Sequence, residues 1–179
     1  FSGDCVIADI EKGQLENTEL PVRLVLFQGL PKADKMELII QKAVELGAAE
    51  IVPVEMARCV VRLDEKKKKN KIARWQSIAE SAAKQSGRTV IPEVKNVMTF
   101  GEALKYSESL DMLLVPYECA DSVKILRNKI DELKDGMSAG IFIGPEGGYE
   151  EKEIEKVKEH GGEIVSLGKR ILRTETAAI

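Results

Sequence analysis

Two loops in the last third of the chain hold residues whose types and spacing could do chemistry. Gly144-Pro145-Glu146-Gly147-Gly148-Tyr149 follows an apolar run, and Leu167-Gly168-Lys169-Arg170-Ile171-Leu172-Arg173-Thr174-Glu175-Thr176-Ala177 nearly reaches residue 179. Glycines let backbone N–H groups come close to a ligand. A phosphate does not suit the first loop. Neither GxGxxG nor GxxxxGK[ST] occurs, and Glu146 puts negative charge where a phosphate would sit. Glu150, Glu151 and Glu153 favour the start of the following helix and also repel an anion. A neutral or cationic ligand held by backbone groups matches better; the plainer alternative is a tight turn that only caps a helix. In the second loop Arg170 and Arg173 flank two apolar residues, so Ile171 and Leu172 can seal a surface while a guanidinium reaches an open site. Thr174 is expected to cap a following helix, with Glu175 in its first turn. The competing reading pairs both arginines with surface carboxylates.

Elements that could position these loops follow from the rhythm of the sequence. From Pro21 it alternates strand and helix: strand 22–28, then a helix through Ile39, Ile40, Ala43, Val44 and Leu46, with Asp34 and Glu37 as a capping pair and Gly47 as its stop. Strand 51–56 contains Pro53, which suggests an irregular or edge position. A long helix is predicted over 65–85, with Ile72, Trp75, Ala79, Ala82 and Ala83 as a narrow apolar stripe opposite a lysine-rich face. Strand 90–94, helix 100–106, strand 112–115, helix 123–133, strand 140–143, helix 150–159 and strand 163–167 complete the series. Such alternation implies an α/β fold, a mainly parallel sheet with helices on both faces. Both loops then lie at carboxyl ends of strands, where open α/β sheets keep their ligands. Residues 1–20 carry one short β pattern, 5–10, and are expected to be the tail of a preceding domain, with 21–179 forming the main one. The run from Thr174 begins a helix without a stop signal, so a further helix is expected beyond it.

Composition narrows the class. A chain of 179 residues with 44% hydrophobic and 32% charged residues suits a soluble globular protein, and only 4% aromatics implies an aliphatic core. No apolar run approaches the roughly 18 residues of a membrane helix, and no signal-peptide pattern opens the sequence. Cys5, Cys59 and Cys119 are far apart, and with His160 alone they make no zinc site; reduced thiols in a cytoplasmic protein are expected, without metal. Net charge is −3, but residues 58–95 hold eleven Lys or Arg against four Asp or Glu, so this window is +7 and the remainder −10. That asymmetry is the footprint of a phosphate-facing surface.

GPEGG after one apolar strand and LGKRILRTETA after the next resemble the SPOUT class of methyltransferases. Within it the match is to the RsmE-like family, bacterial small-subunit (16S) ribosomal RNA uridine-N3 methyltransferases. Lys35-Met36-Glu37, the segment Gln41 to Gly47, the Arg58 segment and Gln85-Ser86-Gly87-Arg88 support it, and the likeness runs from Val22 to Ile179. The resemblance implies a deep C-terminal trefoil knot, a homodimer, and a PUA-like β-barrel of which residues 1–20 would be the last piece. It implies S-adenosylmethionine as cofactor, in three loops. These map here to Leu114, Val115, Pro116 and Glu118; to Ile143, Gly144, Pro145, Glu146, Gly147 and Gly148; and to Ser166, Leu167, Gly168, Ile171, Leu172 and Thr176. The substrate implied is 16S ribosomal RNA, methylated in the assembled small subunit.

Those expectations suit the residue types. The positive sulfonium of the methyl donor tolerates Glu146, and methylating uridine N3 requires loss of a weakly acidic imide proton. A guanidinium beside the uracil carbonyls would stabilise the resulting anion, a role expected for Arg173. Arginine stays protonated and is a poor base, so Glu175 or a water is left to take the proton. Arg58, Arg62, Arg88 and Arg170 are the candidate RNA contacts, while lysines 66–69 read more simply as a solvated helix face. Many relatives carry an acid where Lys84 stands, so any role of that acid does not carry over. A non-catalytic RNA-binding or ribosome-assembly factor with the same fold is the alternative. A nucleotide-phosphate enzyme is the other rival, and it lacks its phosphate loop.

Overall fold

Branched apolar residues run together at regular intervals, and these runs close into one seven-stranded sheet. The computed structural model describes residues 17–118 and 123–179. Cys5, Cys119, the expected strand 5–10 and most of segment 1–20 lie outside the described residues. The elements are β1 (Arg23–Gly29), α1 (Lys35–Glu45), β2 (Glu50–Glu55), α2 (Glu65–Gln85), β3 (Glu93–Val94), β4 (Met98–Thr99) and α3 (Phe100–Ser107). They continue with β5 (Met112–Pro116), α4 (Val123–Glu132), β6 (Ser138–Ile143), α5 (Glu151–Glu159), β7 (Glu163–Val165) and α6 (Thr174–Ala177). Strand order is β3-β2-β1-β6-β5-β7, with β4 also on β2, and every pairing is parallel.

Pro53 proves compatible with a strand second from the edge. Its outer neighbour is interrupted: β3 pairs with Glu50 and Ile51, β4 with Val54 and Glu55, and Pro53 falls between them. A residue without an N–H is tolerated where the ladder has a gap. The expected strand 90–94 shrinks to two residues. Pro92 offers no donor, and the N–H groups of Thr89 and Val90 go to the Glu19 carboxylate instead of a ladder.

Helix ends differ from expectation in two places. Asp34 does stand at the start of α1, but its side chain makes no capping hydrogen bond because its backbone is not extended (φ −94°, ψ 12°). Glu37 pairs instead with Arg74 of α2 at 2.7 Å. At the last helix Arg173, not Thr174, takes the extended cap position (φ −66°, ψ 153°). Elsewhere local chemistry works as read: Asp64 accepts from Lys67 N at 2.8 Å to start α2, and Trp75, Ala79, Ala82 and Ala83 are buried along its stripe.

The core is mostly aliphatic, yet its few aromatics are gathered rather than scattered. Phe27 of β1 stacks on Phe142 of β6 at 5.3 Å, and Phe100 lies 5.3 Å from Phe142. Tyr149 approaches Phe142 edge-on at 6.3 Å and donates its hydroxyl hydrogen to the Phe142 carbonyl. Both phenylalanine side chains of the stack are fully buried. Phe142→Ala should therefore lower stability by about 3–5 kcal/mol, read as a shifted urea midpoint with unchanged m-value.

Candidate active site at the carboxyl ends of the sheet

β6, β5 and β7 are parallel neighbours, so the segments that follow them emerge on the same edge of the sheet. They surround a cleft of about 470 Å³. Pro116, Tyr117 and Glu118 line it from the β5 loop, residues 143–149 from the β6 loop, and Ser166, Leu167, Gly168 and residues 170–174 from the β7 loop. Lys35 at the start of α1 and Ala177 of α6 complete the wall. Four expected residues are elsewhere. Leu114 and Val115 are buried in β5 beneath the cleft, and Thr176 and Glu175 lie outside its lining. Lys35 is a lining residue that sequence spacing did not single out as a site residue, because nothing local marks which distant side chains meet.

The first loop is held by close backbone approach. A Cβ on Gly29 would lie 2.7 Å from Pro145, so only glycine lets the end of β1 pass so near it. Pro145 O accepts from Gly148 N at 2.9 Å and closes the turn. Glu146 does not present a free charge. Its Oε1 accepts from Lys32 N at 3.0 Å and meets Lys35 Nζ at 3.0 Å. Burial pushes this carboxyl up, but its own N–H, that of Lys32 and the Lys35 ammonium outweigh it and hold the group below the usual carboxylate range. Lys35 Nζ also sits 3.2 Å from Glu175 Oε2. One ammonium thus joins α1, the β6 loop and α6.

Glu175 belongs to the same ionic joint. Its own backbone N–H, helped by Lys35 and opposed by burial, lowers its pKa, which makes it a weaker proton acceptor than an ordinary glutamate. Arg170 and Arg173 are exposed, line the cleft and form no direct ion pair among the described residues. Arg173 is nevertheless close enough to Glu175 for its charge to help lower that carboxyl. Thr174 follows Arg173 and is buried; its hydroxyl donates to Gly144 O at 2.7 Å.

The basic window is partly neutralised by acids from outside it. Arg74 pairs with Glu37, Lys68 with Glu55, and Lys95 with Glu50. Arg88 is a correction. Its side chain is only 4% exposed, pairs with Glu19, and donates to the carbonyls of Val44 and Ala48. It cannot face a phosphate from there; it ties the segment entering β1 to the end of α1. Arg62 is exposed but donates to Met56 O and Ala57 O at 3.3 and 3.2 Å. Arg58 is exposed beside the cleft, where its Nη1 donates to Gly147 O at 3.0 Å. Glu153, buried in α5, accepts from Ala57 N at 3.0 Å and fastens the same segment to the glycine loop. Cys59 is buried behind it, and burial raises its thiol pKa. Among the described residues no cluster of His, Cys, Asp and Glu is placed to hold a metal, and no helix is long and apolar enough to cross a membrane.

With this geometry in hand, comparison with known proteins is specific. The family described as "RNA methyltransferase domain" matches residues 18–179. The "Ribosomal RNA small subunit methyltransferase E" of Bacillus subtilis is 40% identical, across 100% of this chain and 75% of its own length. The chain belongs to this methyltransferase family. A structure from Neisseria gonorrhoeae, "Ribosomal RNA small subunit methyltransferase E … bound to S-adenosyl methionine", is 39% identical with a TM-score of 0.77, covering 90% of this chain and 64% of that one. A putative methyltransferase from Legionella pneumophila, solved with SAM, is 33% identical with a TM-score of 0.82, again covering 90% and 64%. The chain thus spans about two-thirds of the length of these solved family members.

Two consequences are measurable. Gly29→Ala should displace Pro145 and weaken ligand binding in the cleft at least tenfold by calorimetry, with the fold retained by circular dichroism. Arg88→Ala should cost roughly 2–3 kcal/mol, because a charged hydrogen-bond donor to Glu19 is lost. The Arg88 hydrogen bond outweighs burial and holds Glu19 below the usual carboxylate range. Its contribution is complete above the unfolded value of about 4.3 and is lost as pH falls through the lower folded value. Glu19→Gln should flatten that part of the acid unfolding curve.

Proposed function

We propose that the cleft binds S-adenosylmethionine and that the protein methylates N3 of a uridine in small-subunit ribosomal RNA, acting on the assembled subunit. The observation that carries this reading is the convergence of three strand-end loops on one cleft with two exposed arginines on its wall, in a chain of this methyltransferase family. The residues fit the ligand. Ile143, Pro145, Leu167, Ile171 and Leu172 offer apolar walls, and the glycines of the first loop expose backbone polar groups. Glu146 is matched by Lys35, so the wall carries no uncompensated negative charge at that point.

When bound, S-adenosylmethionine supplies an electrophilic methyl group. The protein's part is to orient and to stabilise charge. The Arg173 guanidinium, exposed on the cleft wall, stabilises negative charge on the uracil carbonyl oxygens as N3 loses its proton. Glu175, which lies beside Lys35, or a water takes that proton. Arg58, Arg62 and Arg170 contact RNA phosphates near the cleft. Residues 166–177 return from β7 to Gly144 and β1, a path that supports the deep trefoil knot. Residues 1–20 as the end of a PUA-like domain and a homodimer complete the proposal. Val123, Ile125 and Ile130 of α4 are exposed apolar residues that a second copy could cover.

Arg173→Ala should lower methyl transfer from labelled donor to small ribosomal subunits by about 10²–10³-fold, with donor affinity within threefold of wild type. Near wild-type transfer would remove Arg173 from the chemistry. In thermal-shift assays S-adenosylmethionine should raise Tm, whereas ATP and NAD should not. Stabilisation by a nucleotide alone would overturn the ligand assignment.

A further inference from the structure

A glutamine sits where the sheet calls for an apolar residue. Gln28 is the penultimate residue of β1, fully buried, between Pro53 of β2 and Ile143 of β6. Its Nε2 donates to Gly29 O at 2.9 Å and to Thr174 Oγ1 at 3.0 Å. The Thr174 hydroxyl passes its own hydrogen on to Gly144 O at 2.7 Å. Gln28 Oε1 is buried without a partner among the described residues. Leaving an acceptor unpaired in a core is destabilising, and an apolar side chain of similar shape avoids that cost. Stability alone therefore does not explain a glutamine here.

From this geometry we infer that Gln28 and Thr174 form a positioning pair that fixes the Arg173 guanidinium in the cleft, a role that rests on the methyltransferase reading above. Among the described residues no carboxylate lies within ion-pair distance of Arg173, although its charge helps to lower the Glu175 carboxyl, so the point from which its side chain enters the cleft is set by its backbone. That backbone is pinned on its C-terminal side: Arg173 O accepts from Thr176 N and Ala177 N, both at 2.9 Å. The next residue, Thr174, is fastened at one oxygen to the interior of β1 and to the first residue of the glycine loop. Three chain segments, distant in sequence by 146 and 30 residues, thus meet immediately beside the arginine. A donor from Gln28 also settles the Thr174 hydroxyl, leaving its hydrogen directed to Gly144 O and holding the arginine segment and the ligand loop in fixed relation.

The pair differs from ordinary core packing in what its loss should do. Gln28→Met keeps the length and removes both the donor and the unpaired oxygen. Its Tm should stay within about 3 °C of wild type or rise, while kcat on small subunits falls about ten- to a hundredfold with KM for RNA and donor within threefold. Thr174→Val should lower kcat in the same way, with some fall in Tm because Gly144 O and Gln28 Nε2 each lose a partner, and Thr174→Ser, which restores the hydroxyl, should recover most of the lost kcat. Combining Gln28→Met with Thr174→Val should cost no more than the worse single change. The pH profile of kcat should move to higher pH in both single variants, as in Arg173→Ala, because the uracil anion is less stabilised. Unchanged kcat and pH profile in both variants, or a kcat loss in Gln28→Met matched by a fall in its Tm, would overturn the inference while leaving the function intact. A wild-type protein that transfers no methyl group would sink the functional reading and this role with it.

Discussion

Parallel pairing of β6, β5 and β7 is the constraint on which the rest depends. Because the three strands point the same way, the segments after Ile143, Pro116 and Val165 must open on one edge, and a cleft forms there without any one loop being long. The chain then has to return across that edge, and Thr174 is where it is fastened. Its hydroxyl joins the glycine loop to the last segment, so the wall made by residues 166–174 cannot drift from the wall made by residues 143–149. Gly29 permits the same closeness from the other side, since a Cβ there would collide with Pro145.

Charge is organised by the same contacts. Lys35 sits against Glu146 and Glu175 together, so an acid that looked like a ligand determinant and another that looked like a base become parts of one ionic joint. Arg170 and Arg173, also on the cleft wall, form no direct ion pair among the described residues. The basic window tells a related story: several of its cations are matched by Glu19, Glu37, Glu50 and Glu55, none of which lies within it. A local count of charge overstates what solvent or RNA would meet, because folding brings distant acids to nearby bases.

Much of the frame was legible because its signals are local. The stripe of Trp75, Ala79, Ala82 and Ala83 marks the buried face of α2, and Gly47 follows the last turn of α1 as its type suggests. The loops after β6 and β7 were readable as site loops for a similar reason: glycines and paired arginines directly after strands are a pattern within a few residues. Arg88 was misread because a basic residue in a matched motif looks the same whether it faces solvent or not. Only its partners, Glu19 and the carbonyls of Val44 and Ala48, distinguish the two. Thr174 was taken for a cap since hydroxyl residues favour that position; the buried acceptor at Gly144 and the donor at Gln28 claimed its hydroxyl instead.

By itself, then, the sequence determined the alternation of strands and helices and the placement of two ligand-type loops directly after strands. Each of these depends on side-chain periodicity, glycine or charge within a short window. Tertiary structure alone decided which residues form the cleft wall, that Lys35 ties Glu146 to Glu175, that Arg88 is internal, and that Gln28 reaches the residue beside Arg173. Those are meetings between segments up to 146 residues apart, set by the parallel order of the sheet and by burial. No pattern along the chain encodes a hydrogen bond whose two ends become neighbours only after the core has closed.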